Sequence, residues 1–273
     1  CKDEFVCVSI KNNIWYEYHG NRWYEIDSGN TLRLIISKRM HDIYMKKTSE
    51  AMDALQKMDN TEENYENLRK RANKLAALCQ FLKKTNWKNN IMREAKELFY
   101  DKDFINKLDQ NPYLLCFKNG VIDFKEKIFR DGRPDDYITK FSNIEYHPVT
   151  NEHKDIVAEI HDFMNKLFPI PELCQYMWEH LASTLIGITP DQTFNIYIGE
   201  GQNGKSVLLK LMHMILGKYT KDVSTSIIMD KKMKMGQASP EYSQLPGIRY
   251  LCMTESSEDE AINEGIMKQL TGG

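Results

Sequence analysis

The sequence predicts an α/β chain whose N-terminal part is α+β. A small antiparallel sheet with helices comes first, then a helical preface, then an incomplete parallel-sheet core built on a phosphate-binding P-loop. Three observations carry this reading. Residues 5–27 are rich in aromatic and β-branched side chains split by Asn and Gly turns. Residues 31–100 repeat apolar positions at helical spacing. Residues 194–215 place a β-rich run, a glycine loop and an amphipathic stripe in immediate succession.

The 273 residues correspond to about 1.8 domains at roughly 150 residues each. A boundary falls at Pro148 to Asn151, so the expected division is 1–149 and 150–273. An apolar fraction of 41% with 14 Gly is that of an ordinary globular protein and excludes a disordered chain, a collagen and a disulfide mini-protein. With 37 basic and 39 acidic residues the net charge is −2, so bulk charge does not mark a nucleic-acid binder and any such contact must be local. The six cysteines include no C-x-x-C, and none stands at ligand spacing from a His pair. They point to buried thiols in a reducing compartment, not to a zinc site or a disulfide framework. No apolar run approaches a membrane span, and the N-terminus lacks the basic-then-apolar layout of a signal peptide. A soluble intracellular protein with no membrane partner is expected. The first residue is Cys1, not Met, which suggests a piece of a longer chain.

The elements follow in order. Phe5 to Ile10 reads as a strand, Asn12-Asn13 as a turn, Ile14 to Tyr18 as a second strand, Gly20-Asn21 as a turn and Arg22 to Ile26 as a third strand. This is a three-stranded meander. Trp15, Tyr16, Tyr18, Trp23 and Tyr24 offer faces on which bases stack, but strands favour aromatics for packing alone, and one packed sheet face is the preferred reading. Leu68, Ala72, Leu75, Cys79 and Leu82 recur at steps of 4, 3, 4 and 3, one face of a helix. Among the cations on its other face, Arg69, Lys70 and Lys74 are candidate contacts to a phosphate backbone, with a solvated helix surface as the plain alternative. From 112 to 124 the chain is extended around the turn Asn119-Gly120, and 131–134 form a loop. Two amphipathic helices come next. One uses Ile156, Ile160, Met164 and Leu167 and stops before Pro169. The other uses Leu173, Met177, Leu181 and Leu185 and ends near Gly187, with Pro190 beyond.

Phe194 to Ile198 reads as a strand, and Gly199-Glu200-Gly201-Gln202-Asn203-Gly204-Lys205-Ser206 follows it directly. That octet fits G-x-x-x-x-G-K-[ST], the Walker A loop. Val207, Leu208, Leu211, Met212 and Ile215 then give a helical stripe, with Gly217 at the C-cap. Each part has a physical reason. Glycines let backbone N–H groups turn inward into an anion nest. The helix opening at the loop points its positive end at the phosphates. Lys205 is a point charge able to reach the β and γ phosphates of ATP, and Ser206 offers a hydroxyl to Mg²⁺. Gly199, Gly201, Gln202, Asn203 and Gly204 complete the cradle.

Such a loop needs an acidic partner at a strand end. Ile248 to Thr254 reads as a buried strand, the apolar run 250–253 fits a central parallel strand covered on both faces, and Glu255 follows at once. Glu255 is therefore the candidate catalytic carboxylate and Mg²⁺ partner. Glu258 is the rival, less favoured because a loop is less rigid than a strand end. Between the loop helix and this strand, the basic segment around Lys231 and Lys232 is either a solvated loop or a contact to nucleic acid or a neighbouring subunit. A short helix with Ile262, Ile266, Met267 and Leu270 carries Lys268 and runs to Thr271-Gly272-Gly273.

The set Gly-x-Gly-Gln-Asn-Gly-Lys-Ser, Ala238-Ser239-Pro240-Glu241, a strand ending in Glu, and Lys268-x-Leu-Thr-Gly-Gly resembles the superfamily 3 helicase core. More narrowly it resembles the primase–helicases of poxviruses and other nucleocytoplasmic large DNA viruses, and of some phages and plasmids. The segments 5–18, 111–121 and 129–137 resemble the domain that precedes the helicase in those proteins. The resemblance implies an AAA+-type ATPase, usually a hexameric ring, that moves on single-stranded DNA and unwinds duplex at a replication fork. It assigns Lys205 and Ser206 to nucleotide and metal, Glu255 to the attacking water, and Lys268 to the start of the DNA-contacting motif. A sensor residue and an arginine finger are expected beyond Gly273, so little hydrolysis is expected of these residues alone. If the protein is viral, host cytoplasm or the virus replication site is implied. A non-catalytic DNA-binding or oligomer-assembly module is the alternative, and a small-molecule P-loop kinase ranks third because no substrate lid is evident.

Overall fold

The computed structural model describes residues 3–59, 64–190, 192–201, 203–228, 242–254 and 261–272. They form two compact units, Cys1–His19 with Trp23–Asn106, and Gly20–Arg22 with Lys107–Gly273. The units part near residue 106. The sequence boundary at 148–151 falls inside the second unit, where a strand and loop segment gives way to a pair of helices.

In the first unit β1 (Phe5–Ser9), β2 (Ile14–His19) and β3 (Arg22–Asp27) form a sheet in the order β1-β2-β3. β1 and β2 pair antiparallel, Cys7 opposite Trp15, and the register shifts between Cys7 and Ser9. The expected meander is present. Its aromatics mostly pack: Trp15 and Trp23 are 0% and 3% exposed, and Trp23 meets Phe104 edge-on at 4.9 Å. α1 (Asn30–Ile35), a five-residue π-helical turn (Ile36–Met40) and α2 (His41–Gln56) follow, then α3 (Tyr65–Lys83) and α4 (Thr85–Leu98). Leu32, Ile36, Leu82, Met92 and Ala95 close over Phe5, Cys7 and Trp15 to make the core. Gly29 begins α1 at φ +64°, and a Cβ there would lie 2.9 Å from Met92 Cε and 3.2 Å from the Trp15 ring. Only glycine accepts both the backbone angle and the approach. The α3 stripe is as spaced: Ala72, Cys79 and Leu82 are buried, Leu68 and Leu75 half-buried.

α5 (Phe104–Lys107) leads into the second unit, where β4 (Leu114–Phe117), β5 (Gly120–Asp123) and β6 (Ile128–Arg130) form an antiparallel sheet. Arg130 clamps it. Both of its terminal nitrogens donate to Asp136 at 2.8 Å, and one lies 3.5 Å from Asp123. The hydrogen bonds that Asp136 accepts from it hold the guanidinium pKa above its ordinary value. α6 (Lys154–Leu167) and α7 (Pro171–Ser183) are the predicted helical pair, each stopped as the prolines and Gly187 dictate. Then come α8 (Lys205–Leu216), β7 (Thr220–Ser224), β8 (Tyr250–Thr254) and α9 (Glu264–Thr271). β7 and β8 pair in parallel, Asp222 opposite Cys252. The core gathers Leu115, Met164, Met177, Leu181, Leu208, Met212, Leu216 and Cys252.

Four expectations are corrected. Residues 194–198 form no regular element and join no ladder among the described residues; Phe194, Ile196 and Ile198 are exposed, so no sheet face covers the alternation that suggested a strand. Among the described residues the expected incomplete parallel sheet shows two strands, without the one expected at 194–198. The helical stripes are narrower than their spacing: Ile156, Ile160, Leu173 and Val207 are exposed, while Met164, Cys174, Met177 and Leu208 carry the burial. Ile262 precedes α9 and is exposed.

Candidate functional site

The glycine loop at 199–204 runs straight into α8, which begins at Lys205. Gly204 is the residue before the helix, at φ 82° and ψ −3°, and Gly201 has φ +88°. Both angles are left-handed and favour glycine. Leu208 N and Val207 N donate to Gly204 O at 3.1 and 3.0 Å, which closes the first turn.

Lys205 folds back over the loop, its Nζ donating to Gly199 O at 2.9 Å. A Cβ on Gly199 would collide with Asn203 Nδ2 and lie 2.9 Å from Lys205 Nζ. Gly199, Asn203 and Lys205 thus occupy one small volume at the N-terminal end of α8. Ser206 and Asn203 are exposed and Lys205 is half-buried. The arrangement brings an ammonium, a hydroxyl and a side-chain amide to the positive end of a twelve-residue helix. Groups of this kind suit an anion. Open space remains at Gly201, where a Cβ would meet nothing within 4 Å, while Asn203 and Lys205 fill the space at Gly199.

The segment before the loop is held by side chains. His180 Nε2 lies 2.9 Å from the Tyr197 hydroxyl, Tyr197 lies 3.5 Å from the Tyr250 hydroxyl on β8, and Tyr176 donates to Asn195 at 3.0 Å. Desolvation lowers the His180 pKa and raises those of Tyr197 and Tyr250, so the cluster is neutral. Sequence reading missed it because His180, Tyr197 and Tyr250 are far apart in the chain and stand in no motif. A polar residue on an otherwise apolar helix face, His180 on α7, was the only signal.

Gln202, Lys231, Lys232 and Glu255 lie outside the described residues, as does the rival Glu258. Lys268 is exposed on α9, whose first turn is capped by Asn263 Oδ1 accepting from Ile266 N at 3.0 Å. Arg69, Lys70 and Lys74 are exposed on α3, and Arg69 pairs with Glu66 at 3.3 Å. On the neighbouring turn, Trp87 is 44% exposed and stacks on Phe81 at 4.4 Å.

Comparison with known proteins places these observations in a family. Residues 1–169 match the family described as D5 N terminal like. A protein of Acanthamoeba polyphaga mimivirus named "Putative helicase" is 34% identical over 272 residues, 98% of this chain and 28% of that protein. One of Frog virus 3 with the same designation is 25% identical over 357 residues, 98% of this chain and 37% of its own length. A "Putative primase" of African swine fever virus is 25% identical over 194 residues, 68% of this chain and 19% of that protein. The chain therefore spans about a fifth to a third of these relatives.

Proposed function

The chain belongs to the D5 N-terminal-like family, and from that premise we propose that it is part of a DNA helicase of the primase–helicase type that uses ATP to translocate on and unwind DNA during replication. The observation that carries the reading is the loop at 199–206. In a chain whose relatives are named helicase or primase, it brings a lysine, a serine and a left-handed glycine to a helix N-terminus. The residues suit a nucleoside triphosphate with Mg²⁺: Gly201 has open space where a Cβ would stand, and Ser206 is exposed.

In this reading Gly199, Gly201, Gln202, Asn203 and Gly204 wrap the phosphates with backbone N–H groups. Lys205 leaves Gly199 O and takes the β and γ oxygens. Ser206 would hold Mg²⁺, which would supply charge to offset the negative charge that develops on the phosphates. Glu255, which follows β8 in sequence, would orient the attacking water and help hold the metal. Lys268, Arg69, Lys70, Lys74, Lys231 and Lys232 are the proposed DNA contacts. The proposed domain division is 1–149 and 150–273, with a superfamily 3, AAA+-type core. Among the described residues no helix is long and apolar enough to cross a membrane.

A protein with the full length of the relatives should hydrolyse ATP only as an oligomer, a hexameric ring by native mass spectrometry, and single-stranded DNA should stimulate it. Hydrolysis by a monomer, indifferent to DNA, removes the helicase reading.

A further inference from the structure

We propose that His213, Asp222 and Cys252 form a binding site for a divalent transition cation of the zinc type, where α8 meets β7 and β8. Asp222 and Cys252 are register partners in the parallel pair, so their side chains leave the ladder on the same face. His213 reaches them from α8, its Nε2 3.1 Å from Asp222 Oδ1. One ligand atom from each of the three residues lies within 4.8 Å of the others. Bonds of about 2.0–2.3 Å would set tetrahedral ligands roughly 3.4–3.7 Å apart, so rotamer adjustments of about an ångström close the site.

Thr220 decides which imidazole nitrogen faces the carboxylate bare. Its hydroxyl donates to Gly217 O at 2.9 Å and lies 2.9 Å from His213 Nδ1. A hydroxyl has one proton. With that proton on Gly217 O, Nδ1 donates to Thr220, and the tautomer with a bare Nε2 toward Asp222 is the one that ligates a metal. Two acceptors at this distance repel unless a cation sits against both. A proton on Nε2 also answers the repulsion and leaves Cys252 to its place in the core, whereas a metal ion would engage all three groups.

The outer hydrogen bond from the far ring nitrogen is the arrangement that orients metal-binding histidines. A sulfur, an imidazole nitrogen and one carboxylate oxygen select zinc-class ions over Mg²⁺ or Ca²⁺. Three protein ligands leave a fourth position for water. The Asp222 and His213 side chains are 67% and 29% exposed, which gives the ion a path from solvent. On binding, Cys252 Sγ–H loses its proton to solvent and the thiolate becomes the third ligand. The ion then fastens α8 to the sheet. Sequence spacing gave no hint, because the three ligands stand on three different elements.

Titration of the EDTA-treated chain with Co²⁺ tests this. A thiolate-to-cobalt charge-transfer band should appear in the near ultraviolet, saturate at one equivalent and vanish on addition of Zn²⁺. Cys252→Ser should lose the band and Cys1→Ser should keep it. Asp222→Asn, at an exposed side chain that leaves the core intact, should lose high-affinity binding. Thr220→Val should bind about 10–100-fold more weakly. No band in the wild type, a band that survives Cys252→Ser, or undiminished binding by Asp222→Asn would overturn the proposal and leave an imidazolium–carboxylate pair in its place.

Discussion

Replacing Gly204 by Ala perturbs the one backbone position on which the loop-to-helix junction depends. Gly204 has φ 82° and ψ −3°, a left-handed conformation that costs an L-residue about 1–2 kcal/mol. The added Cβ would also lie 2.8 Å from Leu167 Cδ1, the end of a flexible side chain that can turn aside, so this contact adds little. The sum is about 1–2 kcal/mol, or roughly 2–8 °C in melting temperature for a chain of this size. The same substitution pulls the first turn of α8 toward ordinary helical angles, away from the geometry that aims its N–H groups into the loop. Thermal unfolding followed by circular dichroism reads the stability loss, and calorimetric titration with MgATP reads the loop. Gly204→Asn is the decisive companion, since Asn visits the left-handed region readily and should cost well under half as much. Equal destabilisation by Ala and Asn would refute backbone strain as the reason for glycine here.

Asp136→Ala should destabilise the β4-β5-β6 region by about 3 kcal/mol, because it strands a guanidinium only 15% exposed that loses its two-pronged partner; adding Arg130→Met should recover much of that in urea melts, and no recovery would show that the charge pair is not the cause. Acidification should loosen the segment before the loop. Burial lowers the His180 pKa, so the unfolded chain takes up this proton first: its contribution is complete above about pH 6.5, the unfolded value, and is lost as pH falls through the lower folded pKa. Melting temperatures measured through that window should fall more steeply for the wild type than for His180→Gln, and equal slopes would contradict the assignment.

How far the fold could be read in the sequence depended on whether its signals were local. The β1-β2-β3 meander was legible because Asn12-Asn13 and Gly20-Asn21 punctuate aromatic strands, and α6 and α7 were legible because prolines bound them. The start of α8 at Lys205 was legible because a glycine stands directly before it in the chain. Three things were not. Phe194 to Ile198 has a strand's composition, but a strand also needs a ladder, and side chains of α7 and β8 hold this segment instead. Val207 and Ile156 sit at apolar helical spacing yet face outward, since periodicity fixes a helix face without saying how much of it a neighbour covers. The His213–Asp222–Cys252 cluster arises only when β7 and β8 pair in register, a tertiary event with no trace in spacing.

The central claim is that the loop at 199–206 holds the phosphates of ATP and that Lys205 stabilises the charge transferred. Its most direct test is steady-state ATP hydrolysis by the oligomeric full-length protein carrying Lys205→Ala. Removing one such preorganised cation should lower turnover by about 10²–10³-fold, with the oligomer and the melting temperature retained. Wild-type turnover in the Lys205→Ala protein would contradict the account.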